Sequence, residues 1–159
     1  MENLLRAFAL ACLAMMPQGL AAAEEGPRPV SWKQLAVAPS AAGLDVRLDG
    51  YLLPVDREND LVYEFLLVPW AGACIHTAAP PPNQLVRVSL AEPFRLEEIY
   101  EAVTVSGRLI AAEERQQVLM IDGVKQLDSA YAIARATVVH TAGAPPPAGI
   151  GNPWRRLAK

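Results

Sequence analysis

The amino-acid sequence predicts a mainly β domain, and three observations carry that expectation. Apolar residues alternate with polar ones at a period of two from Asp45 onward. Turn-forming Pro, Gly, Asn and Asp clusters break the alternating runs into short pieces. The chain has 159 residues, 52% of them hydrophobic, enough for one packed domain with extended ends.

The first 26 residues, MENLLRAFALACLAMMPQGLAAAEEG, are laid out as a secretory signal. Arg6 and the amino terminus give a weakly positive start, an apolar run follows to Met16, and Ala21–Ala23 supply small residues before Glu24. Residues 1–23 are therefore expected to be a cleaved signal peptide, with no membrane span afterwards, because the run is too short to cross a bilayer core of ~30 Å. The alternatives are a buried amphipathic helix and, less consistent with the short apolar run, a lipid-acceptor role for Cys12. Export places the mature chain in an oxidising compartment. Cys12 leaves with the signal, so Cys74 is the one thiol of the mature chain and no internal disulfide can form.

Residues 24–44 read as a lead-in, with Ser31 placed to cap a short helix starting at Trp32. Residues 45–141 carry the β pattern. Val46, Leu48, Gly50 and Leu52 make a first strand closed by Pro54, and Leu61–Val68 a second with Glu64 as its one charge. Leu85–Leu90 make a third, and Pro93–Tyr100 has helical spacing. Val103–Leu109 make a fourth strand, Val118–Ile121 is apolar before an Asp122–Gly123 turn, and Tyr131–Val139 is the last strand. A helix between the third and fourth of five strands is the order of a small OB-like Greek-key barrel, and Gly50 and Gly107 suit strongly bent strands. Residues 142–159 are a Pro/Gly-rich tail.

A net charge of −3 argues against a nucleic-acid surface, and Arg155–Arg156 are too few to change that. The chemistry is concentrated in Glu64–Gln84, EFLLVPWAGACIHTAAPPPNQ. Cys74 and His76 stand two apart, so in extended backbone they project to one side. Thiolate and imidazole are the ligand types of zinc or copper. Two ligands do not close a zinc site, which takes four with one position open to water. His140, then Glu64, are the leading candidates for a third ligand, with Asp56, Glu58 and Asp60 also near in sequence to the strand turn. A twofold homodimer pairing two Cys74–His76 sets is another way to complete the site. Each residue also has a purely structural reading, with Cys74 a small buried hydrophobe and His76 a hydrogen-bonded loop residue. A nucleophilic Cys–His pair needs a third orienting group that no local signature supplies, and a redox role lacks a resolving cysteine. Pro80–Pro82 read as a stiff strap pinned by Asn83 and Gln84, Pro145–Pro147 as an extended connector or docking segment, and Trp70 as core packing.

The run Gly50–Pro54 (GYLLP), followed by Gly72-Ala73-Cys74-Ile75-His76, Pro80–Pro82, Asn83 and Gln84, resembles an uncharacterised exported bacterial family, domain of unknown function 3299, over roughly residues 45 to 140. Ala78–Ala79 depart from its pattern, where further prolines are usual. The resemblance implies a small periplasmic protein associated with ABC transporters of the macrolide-exporter type and with zinc shortage. It implies a role in metal traffic beside a transporter or another periplasmic metal-binding protein, with Cys74 and His76 as ligands and no enzymatic activity. The expectation is a periplasmic zinc-binding accessory protein; the alternative is a protein-interaction module of an ABC transporter system that holds no metal.

Overall fold

The computed structural model describes residues 26–37, 39–73, 78–98, 100–120 and 123–141. The elements are β1 (Arg28–Pro29), helix α1 (Trp32–Val37), β2 (Asp45–Glu58), β3 (Leu61–Val68), β4 (Val86–Arg95), β5 (Ala102–Met120) and β6 (Gly123–His140). The protein is mainly β, as the alternation predicts.

The five long strands form a hydrogen-bonded ring. β2 pairs with β3, β3 with β4, β4 with β6, β6 with β5, and β5 returns to β2. All these pairings are antiparallel except β4 with β6, which run parallel from Val86↔Tyr131 to Leu90↔Ala136. β2 serves both ends of the ring because it is long: Asp45–Tyr51 pair with β5, and Tyr51–Glu58 with β3. The expected stop at Pro54 does not occur. Pro54 opposes Phe65 next to a register shift, where a residue without an N–H can be accommodated in a ladder.

The helical spacing of Pro93–Tyr100 does not produce a helix in the described residues. Pro93, Phe94 and Arg95 finish β4, held to β3 by Val62↔Phe94 and Leu61↔Arg95. Leu96 then donates its N–H to the carbonyl of Asp60, which turns the chain. The only α-helix among the described residues is α1, where the sequence places one. Its start is a reciprocal capping pair: Gln34 N–H donates to Ser31 Oγ at 3.3 Å, and Ser31 N–H to Gln34 Oε1 at 2.8 Å. Buried Leu35 anchors α1 in the ring core, and Trp32 Nε1 donates to the carbonyl of Asp49 at 2.8 Å.

Alternation along the strands sorts the apolar residues into two cores. Val46, Leu48 and Leu52, Phe65 and Leu67, Val86 and Val88, Val105 and Leu109, and Ile133 converge from all five strands and fill the ring. Gly50 and Gly107 sit where backbone must come close: a Cβ at Gly50 would stand 2.9 Å from Leu67 Cγ, and one at Gly107 would stand 2.6 Å from Ile133 Cγ2. The second core lies on the opposite strand faces. Leu53, Leu66 and Val68 pack there against Val118, Met120 and Leu127, with Ala73, Leu85 and Tyr100.

That second core exists because β5 and β6 outrun the ring. Beyond a register shift at Ala111/Glu114 they continue as a hairpin from Glu114↔Ser129 to Met120↔Gly123. Gln116, Val118 and Met120 are buried in alternation, as are Leu127 and Ser129, so one hairpin face covers the β2–β3 exterior. Burying an aliphatic side chain contributes about 1.5–3 kcal/mol, so these few contacts are sufficient to hold the hairpin down.

Candidate functional site

Two polar arrangements stand out, and each contains one residue singled out in the sequence. The first surrounds Glu64. This residue opposes Ser89 across the β3–β4 ladder. Its carboxylate accepts two hydrogen bonds from Arg87 Nη2, at 2.8 and 2.9 Å, and one from Ser89 Oγ at 2.9 Å. Arg87 Nη1 donates to Glu114 Oε2 at 2.5 Å, and Gln116 Nε2 donates to the same oxygen at 3.2 Å. The hydrogen bonding to Glu64, chiefly, raises the Arg87 guanidinium above its ordinary value, with burial acting the other way. One arginine thus joins β3, β4 and the outer hairpin. The odd charge of β3 is half-buried and fully occupied there.

The second arrangement surrounds His140, the last residue of β6. Its Nδ1 lies 2.6 Å from Glu101 Oε1, and its ring packs on Phe94 with centroids 4.8 Å apart. The Glu101 side chain is only 15% exposed, so the carboxylate is held in place while the imidazole faces solvent. A carboxylate at Nδ1 favours the tautomer with hydrogen on Nδ1, which leaves the Nε2 lone pair free to act as a donor to a metal or a proton. Beyond Leu90↔Ala136 strands β4 and β6 part, and a groove of about 360 Å³ opens between Pro93–Phe94 and Thr137–Val138.

Residues 100 and 101 are tightly fixed. Tyr100 N–H donates to the Leu52 carbonyl at 3.1 Å, and Leu52 N–H donates to the Glu101 carbonyl at 3.0 Å. Tyr100 is fully buried and adopts φ +60°, a left-handed conformation that costs a side-chain-bearing residue about 1–3 kcal/mol. Its hydroxyl donates to the carbonyl of buried Ala73, the residue before Cys74. Gly72, with φ +80°, makes the turn that brings Ala73 there.

Cys74 and His76 lie outside the described residues. Of the other ligand candidates, Glu64 is engaged with Arg87 and Ser89, His140 with Glu101, and Asp60 with Arg95. Among the described residues no three His, Cys, Asp or Glu side chains gather as a metal site. No described helix is long and apolar enough to cross a membrane.

The proline strap follows. Pro81 is extended at φ −63°, ψ 157°, and Pro82–Gln84 form a single 3-10 turn. Asn83 Nδ2 donates to the Ala36 carbonyl at 2.9 Å, which ties the strap to α1. Tyr100, Glu101 and Arg87 escaped the sequence reading. Glu101 is one of three glutamates within five residues, and nothing in the local pattern separates it from Glu97 and Glu98.

No curated protein matches the chain. Its structure is similar to the crystal structure of a DUF3299 family protein from Pseudomonas aeruginosa, with a TM-score of 0.59 and 24% sequence identity, covering 76% of this chain and 99% of that one. At that identity the likeness speaks for the fold. A family model described as a protein of unknown function, DUF3299, matches residues 7–140, and the chain belongs to that family.

Proposed function

We propose that the protein is an exported, periplasmic zinc-binding accessory of metal traffic, built on an OB-like ring and serving an ABC transporter of the macrolide-exporter type. Cys74 and His76 are its first ligands and His140 its third. The observation that supports this reading is the Glu101–His140 pair, with Nδ1 tied to a carboxylate at 2.6 Å and no partner on Nε2 among the described residues. Carboxylate-oriented imidazoles of this kind are the usual ligands of catalytic and transport metals. His140 is preferred over Glu64, because Glu64 would have to give up the hydrogen bonds it accepts from Arg87 and Ser89. Three protein ligands and a water leave one position open, which suits exchange of the metal better than storage.

Zinc titration of the reduced protein by calorimetry tests the reading. Saturable binding is expected, weakened in Cys74→Ser, His76→Ala and His140→Ala. No binding, or binding indifferent to all three changes, would sink it.

One observation favours a second reading, an interaction module that holds no metal. Leu119 and Val124 oppose each other near the hairpin turn and are 64% and 63% exposed. An apolar pair presented this way suits docking on a transporter component. Leu119→Ser with Val124→Ser would then abolish transporter association, while Cys74→Ser would leave it intact.

A further inference from the structure

Strands β4 and β6 run side by side as a parallel pair only as far as Leu90↔Ala136, and both bulge where they part. On β4, Leu90–Pro93 stand between Glu64↔Ser89 and Val62↔Phe94, so four residues face Tyr63 alone. On β6, Arg135 takes φ +53°, a left-handed conformation unfavourable for a residue with a side chain. The ladder with β5 slips at the same place, between Ser106 and Leu109. Extra residues on both strands carry them apart, and the groove opens between them.

The β6 wall of this groove carries open backbone. Thr141 donates its N–H to the carbonyl of Ala102, which sets the phase of the antiparallel β5–β6 ladder. Hydrogen-bonded pairs alternate with non-hydrogen-bonded ones, so Thr104↔Val139 and Ser106↔Thr137 are bonded while Val103↔His140 and Val105↔Val138 are not. The N–H and C=O of Val138 and His140 therefore turn away from β5, toward the groove, where the ladder with β4 has already ended. Such an edge is a template for another strand. Phe94, Ala136 and Val138 are buried or half-buried and make the floor of the groove, while Glu92, Pro93 and Thr137 are exposed along its rim. Glu92 is the one charged residue that lines it.

We propose that this groove is a docking site for an extended peptide segment of a partner protein, one in which aliphatic and basic side chains alternate. The segment adds as a strand to the free edge of β6 and pairs with the backbone of Val138 and His140. Its aliphatic side chains point down onto Phe94 and Val138, and a lysine or arginine points up to meet Glu92. Successive side chains of a strand project to opposite faces, so the two types must alternate. Main-chain pairing supplies affinity, and the apolar floor with Glu92 supplies the preference. No metal takes part, and the site is complete within the described residues.

The test uses the full chain, a synthetic heptapeptide of alternating valine and lysine, and amide hydrogen exchange followed by NMR. In the free protein the amides of Val138 and His140 are expected to exchange at least about 10-fold faster than those of Thr137 and Val139. Peptide binding, measured by calorimetry, is expected to slow both. A valine–glutamate peptide of the same length is expected to bind more weakly. The valine–lysine peptide N-methylated along its backbone is expected not to bind, since it keeps its side chains and charge but has no N–H to donate. Glu92→Lys is expected to weaken the valine–lysine peptide about 5-fold with thermal unfolding unchanged. Val138 and His140 amides that are already slow in the free chain would overturn the proposal. Slowing that grows with protein concentration would make a second copy the occupant, and slowing independent of concentration another part of this chain. Equal binding of the N-methylated peptide, or no binding of the valine–lysine peptide, would overturn it as well.

Discussion

Gly107 of β5 lies directly against Ile133 of β6, so close that a Cβ on Gly107 would stand 2.6 Å from Ile133 Cγ2. The contact falls inside the register shift between Ser106 and Leu109, where the ladder bends to close the ring. Gly107→Ala is expected to destabilise the protein by about 1–3 kcal/mol through overpacking. Ile133→Ala removes Cγ2 itself, so the double variant is expected to cost less than the sum of the two single changes. Denaturant unfolding of the two single variants and the double variant measures both, and equal stability of Gly107→Ala and wild type would refute the close approach.

Arg87 holds two carboxylates from two different elements, and removing it leaves both half-buried without their cation. Arg87→Ala is expected to cost about 2–4 kcal/mol, most of it from stranding Glu64 and Glu114 rather than from lost attraction. Removing all three charges together, with Glu64→Gln, Arg87→Met and Glu114→Gln, should cost less than Arg87→Ala alone. Urea midpoints of the two variants decide the matter.

The outer hairpin is secured by its apolar face. Leu127 is 5% exposed and packs with Val118 and Met120 over the β2–β3 exterior. Leu127→Ala is expected to cost about 2–4 kcal/mol. Hydrogen exchange should accelerate at 114–120 and 123–129 before it does in β3. Uniform acceleration across the ring would mean that hairpin and ring unfold as one unit.

Asp128 titrates below the ordinary carboxylate value because Arg115 donates to it across the hairpin at 2.7 Å. A carboxyl lowered on folding contributes stability above its unfolded value and loses it as pH falls through the folded one. The window here lies below the ordinary value of 3.8. Arg115→Gln should move the Asp128 titration, followed by its side-chain NMR shift, back up toward that value. The pair is solvent-exposed, so the variant should unfold at nearly the same denaturant concentration at neutral pH.

Local chemistry made much of the fold legible. Apolar and aromatic content placed β3 at its observed limits, Ser31 identified the start of α1, and the glycines at 50 and 107 marked the tight approaches. The misreadings share one cause. Phe94, Leu96 and Tyr100 have helical spacing, yet Phe94 is taken by a ladder with Val62 and Tyr100 by a left-handed turn over Leu66. Pro54 looks like a strand end until a bulge accommodates it. The expected fourth strand ends at Leu109, but the facing strand and the outer core carry β5 on to Met120.

By itself the sequence determined the class of fold, the succession of five strands along the chain and the segment in which metal-ligating residue types concentrate, because those depend on alternation, turn residues and ligand chemistry along the chain. Only the tertiary structure decided which side chains act together. Glu64 and Arg87 are 23 residues apart and His140 and Glu101 are 39 apart. Ring closure and the fold-over of the hairpin set those meetings, and such long-range register is fixed by packing rather than by any local preference.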